Sequence, residues 1–110
     1  MNKYHAVKAN IDGFTFDSKA EAQYYIALRW QAENGEISDL QVHPRYELLP
    51  AFMYKGKRIA GVYYEADFSY TQDGKQVVVD VKGVRTDVYR LKIKFFLNKY
   101  PQYDFQEVRA

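Results

Sequence analysis

The sequence predicts a mixed α/β domain: a sheet flanked by helices, with a short hairpin ahead of it. Three observations carry this. Two stretches with helical signals, 19–34 and 86–98, are interspersed with runs rich in valine, tyrosine and phenylalanine. The tetrapeptide "QDGK" sets a two-residue Asp73-Gly74 turn between two of those runs, the strongest short hairpin signal. The 110 residues are 47% apolar and include no cysteine, which suits one globular domain over 1–110. Disulfides and thiolate metal sites are excluded, and a reducing cytoplasm fits.

Taken in order, the chain opens with a hairpin turning at Ile11-Asp12-Gly13. The first helix is expected over 19–34. Ser18 and Glu21 have capping-box spacing, and Gly35 stops the helix. A strand is expected over 42–49, at an edge because Pro44 stands near its start and Pro50 follows it. Two longer strands cover 58–72 and 75–82, a second helix 86–98, and a last strand 103–108. The core order is therefore α-β-β-β-α-β. No apolar run is long enough for a membrane span, and "MNKYHAVKANIDG" lacks the apolar centre of a signal peptide, so a cytoplasmic protein is expected.

The Asp73-Gly74 turn implies a register. If Gln72 pairs with Lys75, Asp67 falls opposite Asp80 and Glu65 opposite Lys82. Glu65, Asp67, Asp80 and Lys82 then share one face, while Tyr64, Ala66, Phe68, Val79 and Val81 share the other. Opposed aspartates have β-carbons about 5 Å apart and repel. A divalent cation offsets that repulsion, and Mg²⁺ is held by one or two carboxylates with water and phosphate oxygens. A slipped register or a solvated face removes the need for one.

Each helix carries one charged residue on an apolar stripe. Glu21 lines up with Tyr25, Leu28 and Ala32, so it is either a capping residue or an inward carboxylate needing a partner. Lys92 falls among Val88, Leu91, Phe95 and Phe96, whereas Arg90 and Lys94 point away. It either snorkels to water or brings its amine to the strand carboxylates or a phosphate. Arg85 and Thr86 stand at the mouth of that helix, where a phosphate contact is plausible. Net charge is only +2, but bases cluster over 85–99 and at Lys55, Lys57 and Arg58. Such patches are either solvated faces or tracks for a phosphate backbone.

A helix Glu, a strand Asp, an Asp-x-Lys on the next strand and a helix Lys resemble the PD-(D/E)xK nuclease superfamily. The matching residues are Glu21 in "SKAEAQYY", Asp67 in "EADFSY", and Asp80 and Lys82 in "VVDVKG". The segments "FDSKAEAQYY", "GEISDL", "ADFSY", "DVKG" and "YRLK" also resemble a family of small phage and prophage proteins within it, over about residues 10–105. Ala66 precedes Asp67 where that pattern has proline, and His43 stands where a glutamine is expected. His43 reads as a packed or exposed histidine, or as one near the site.

The resemblance implies a restriction-endonuclease-like fold and a Mg²⁺- or Mn²⁺-dependent DNA endonuclease that leaves a 5′-phosphate and a 3′-hydroxyl. Glu21, Asp67, Asp80 and Lys82 are then the catalytic residues. The metal ligands are Asp67, Asp80, Glu21 and the backbone carbonyl of Val81, and Lys82 orients water or stabilises charge on phosphorus. Lys92, Arg85, Thr86, Arg90 and Lys94 are the nucleic-acid contacts, and Glu65 steadies Lys82. A homodimer, a replication or recombination partner and a role in phage recombination, repair or branch resolution are also implied. RNA is not separated from DNA. Two other classes stay open: a non-cutting nucleic-acid-binding module on the same fold, and a phage structural or assembly protein.

Overall fold

The computed structural model describes residues 8–110; the first seven, and the signal-peptide reading that falls on them, lie outside the described residues. Asp12 and Gly13, both at positive φ, turn β1 (Ala9–Ile11) into antiparallel β2 (Phe14–Phe16). In α1 (Lys19–Glu33), Ser18 Oγ accepts the Glu21 amide at 3.1 Å. The helix ends at Asn34, and Gly35 follows at φ +75°.

The remaining elements are β3 (Ser38–Val42), β4 (Arg45–Leu49), β5 (Phe52–Tyr54), β6 (Lys57–Ile59), β7 (Val62–Glu65), β8 (Phe68–Gln72), β9 (Lys75–Lys82), α2 (Asp87–Lys99) and β10 (Asp104–Arg109). The central sheet runs β10-β9-β8-β3, with β10 parallel to β9 and the other pairs antiparallel. Read along the chain, α1, β3, β8, β9, α2 and β10 follow the order α-β-β-β-α-β, with β4 to β7 inserted between β3 and β8. Among the described residues no helix is long and apolar enough to cross a membrane.

Two expected strands are broken. The one over 42–49 is the end of β3 followed by β4, because the chain kinks at His43 (φ 55°) before Pro44. β3 begins four residues ahead of the expected strand. The long strand over 58–72 divides into β6, β7 and β8, since β7 leaves the sheet to pair with β4 in a separate ribbon. β5 and β6 form a further hairpin beyond it. Thr86 is the cap of α2 rather than its first residue, its Oγ1 accepting the Tyr89 amide at 3.1 Å.

Both faces of the sheet are covered. Phe16, Tyr25, Leu28, Ile37, Phe68, Tyr70, Val77 and Val79 make the core under α1. On the other side Tyr64, Ala66, Val78, Tyr89 and Phe96 pack under α2. Tyr64 and Ala66 therefore join Val78, not Phe68 and Val79 as the unbroken strand predicted. Burying these aromatic and branched side chains stabilises the fold by roughly 1.5–3 kcal/mol each.

Candidate active site

The site forms where β7 and β8 part. The predicted register holds along β8 and β9, from Gln72 opposite Lys75 to Phe68 opposite Val79. One step further, the Asp67 amide still donates to the Val79 carbonyl at 3.1 Å, but Ala66 already turns away, its amide donating to Pro44. The end of β9 is left beside a gap. Asp67 Oδ2 accepts the Val81 amide there at 2.6 Å. Backbone N–H and C=O of one strand residue point to the same side, so the Val81 carbonyl faces the gap as well.

Two further segments bring groups to Asp67. Glu21 enters from the first turn of α1, 4% exposed. It fills both roles considered for it. Its Oε1 accepts the Asp17 amide at 3.2 Å, as a helix-end residue does, and lies 3.5 Å from His43 Nε2. His43 is carried in by the kink after β3, its amide donating to the Asp67 carbonyl at 2.9 Å. Glu21, His43 and Asp67 each offer a ligand atom within 4.8 Å of the others. Burial, then the neighbouring Glu21 carboxylate, pushes Asp67 up to about 7.

Asp80 stands outside that trio, on the α2 side of the sheet and 1% exposed. Its Oδ2 accepts the Tyr64 hydroxyl, and its Oδ1 faces Lys82 Nζ at 3.2 Å yet accepts no well-aligned hydrogen bond. Burial, offset in part by the Tyr64 hydroxyl, pushes Asp80 up to about 6, and the Asp67 charge adds to the rise. Lys82 rests its amine 4.5 Å from the Tyr89 ring centre. Glu65 is not beside it. The break puts Glu65 opposite Arg45 in the β4–β7 ribbon, exposed, so the expected Glu65–Lys82 pairing is corrected.

Next to Lys82 a cleft is lined by Arg85, Arg90, Glu107 and Arg109. Glu107 sits in register with Asp80 on β10. It takes the Arg85 guanidinium on Oε2 and the Tyr89 hydroxyl on Oε1 at 2.7 Å. Lys94 lines the adjoining hollow with Arg85 and Arg90. Thr86 spends its hydroxyl on the helix cap. Lys92 lies elsewhere, in an apolar groove with Leu48, Leu49, Val62, Val88, Leu91 and Phe95. Among the described residues its amine forms no ion pair. That placement fits the snorkelling alternative, and the inward face of α2 is instead Tyr89, Ile93 and Phe96.

The residues that sequence reasoning missed are Tyr64, Glu107 and Arg109, with His43 weighed toward packing. Alternation in "DFQEVR" puts Glu107 on one face with Phe105 and Arg109, but only the parallel pairing puts it beside Asp80. The group as a whole can hold a hard cation, bind phosphate and offer a positioned amine. No curated protein and no solved structure matches the chain. A family model described as a protein of unknown function, DUF1064, matches residues 1–110, and the chain belongs to that family.

Proposed function

We propose that this chain is a metal-dependent DNA endonuclease of the PD-(D/E)xK type, on a restriction-endonuclease-like core. One observation carries the reading. At a strand break the partly buried Asp67 stands beside Glu21 and His43, the buried Asp80 lies on the other side of the sheet, and both carboxyls are raised by burial. Asp80 Oδ1 is buried with the Lys82 amine 3.2 Å away but accepts no well-aligned hydrogen bond. Buried carboxylates need a cation or a proton, and this oxygen-rich set suits Mg²⁺ or Mn²⁺.

Asp67, Asp80, Glu21 and the Val81 carbonyl would hold the ion, with His43 as a nitrogen donor. When bound, such an ion supplies Lewis acidity toward a phosphate oxygen and lowers the pKa of a water. The chain's own residues do the rest. Lys82 is held between Asp80 and the Tyr89 ring, so its amine is positioned to stabilise charge that builds on the phosphoryl oxygens. Arg85, Arg90 and Arg109 line the adjoining cleft and receive a neighbouring phosphate. Water adds to phosphorus, the P–O3′ bond breaks, and the 3′ oxygen takes up a proton, leaving a 5′-phosphate.

The test is cleavage of end-labelled linear, flapped and four-way DNA in Mg²⁺, Mn²⁺ or EDTA, with Lys82→Ala in parallel. Cutting is expected in either metal, none in EDTA, and a loss of about 10²–10³-fold in the variant. Equal cutting in EDTA, or by the variant, refutes the proposal.

A further inference from the structure

The β5–β6 hairpin is unlike the rest of the chain. Every residue from Phe52 to Ile59 is exposed, including Met53 at 64% and Tyr54 at 58%. Phe52 pairs with Ile59, Met53 with Arg58 and Tyr54 with Lys57, around a Lys55-Gly56 turn with both residues at positive φ. Side chains of paired residues share a face. Both faces of this ribbon therefore mix an apolar group with a cation, and neither is buried by the domain. Three bases and no acid fall within 50–61. Among the described residues, none of Lys55, Lys57 and Arg58 forms an ion pair.

We propose that this hairpin is a DNA-binding arm, a two-stranded ribbon that enters a groove of duplex DNA. The inference rests on the nuclease reading for the nature of the ligand. The dimensions agree, since the major groove admits a two-stranded β-ribbon. Lys55, Lys57 and Arg58 meet phosphates, while Phe52, Met53 and Tyr54 lie against sugars and base edges. Charge selects this occupant over a second copy of the chain. The apolar groove beside α2 is the natural protein seat for an apolar arm, but Lys92 lines it and would meet three more cations. The arm joins Asp67 through eleven residues, so its tip reaches at most about 40 Å from the site. That is on the order of one turn of duplex.

The test uses the full chain, a fluorescein-labelled 30-base-pair duplex and Ca²⁺ in place of Mg²⁺, with anisotropy read between about 50 and 200 mM salt. Lys55→Ala/Lys57→Ala/Arg58→Ala is expected to bind at least about tenfold more weakly. Its plot of log affinity against log salt should be shallower by about 2 to 3. Phe52→Ala/Tyr54→Ala should weaken binding with little change of slope. Thermal unfolding of both variants should match wild type, because these side chains are exposed. Unchanged affinity and slope in the triple variant overturn the arm, and if wild type still cuts DNA the nuclease reading stands without it. Arm-dependent binding with no cutting of any DNA supports the arm and overturns the nuclease. Altered sedimenting mass with unaltered DNA affinity overturns the arm in favour of a protein interface.

Discussion

A carboxylate taken out of water must find a cation or keep its proton. Asp67 and Asp80 are raised to about 7 and about 6, against 3.8 in an unfolded chain. The stability they confer is therefore complete below about pH 4 and is lost as pH rises through 6 and 7. In EDTA, the melting temperature of wild type should fall between pH 4 and 7.5 more steeply than that of Asp67→Asn. Added Mn²⁺ should restore it chiefly at pH 7.5, as scanning calorimetry would show; profiles that coincide contradict the assignment. His43 makes a second prediction. Imidazole favours Mn²⁺ over Mg²⁺, so His43→Ala should weaken Mn²⁺ binding about tenfold by titration calorimetry and leave Mg²⁺ binding nearly unchanged. This placement was hard to read from sequence. It depends on the end of β3 meeting the first turn of α1, which no local pattern encodes.

Local chemistry made some elements readable and hid others. The Asp73-Gly74 turn fixed the β8–β9 register, and that register held to the last paired residue. The cap at Ser18, the stop at Gly35 and the apolar stripe of α1 were equally plain. The splitting of 58–72 was not, because β7 departs to pair with β4, sixteen residues away at Glu47 and Tyr63. Nothing in Tyr-Glu-Ala-Asp marks the break. Gly61 shows how tightly this ribbon is built. A β-carbon there would lie 2.6 Å from the Leu49 carbonyl oxygen, so backbone must shift. Gly61→Ala should cost about 1–3 kcal/mol in chemical denaturation. Tyr64→Phe removes the hydroxyl that Asp80 accepts. It should destabilise the protein by a similar amount.

At the scale of the molecule, a sheet covered on both faces carries polar groups on each side of one strand break. Glu21 and His43 stand by Asp67 on the α1 side, and Asp80 and Lys82 pair on the α2 side. Asp67 sits where the strand between them ends. The resemblance in the sequence points to Glu21, Asp67, Asp80 and Lys82, and the element order puts Glu21 beside Asp67 and Lys82 beside Asp80. Helical projection put Lys92 among Val88, Leu91 and Phe95, as found, but could not tell that this stripe of α2 is the exposed one. The most direct test of the account is incubation of supercoiled plasmid with Mn²⁺ and either wild type or Asp80→Asn, prepared identically. The account predicts nicked and linear DNA from wild type, abolished by EDTA, and at least about a hundredfold less from the variant. Intact plasmid with wild type, or equal nicking by Asp80→Asn, would contradict it.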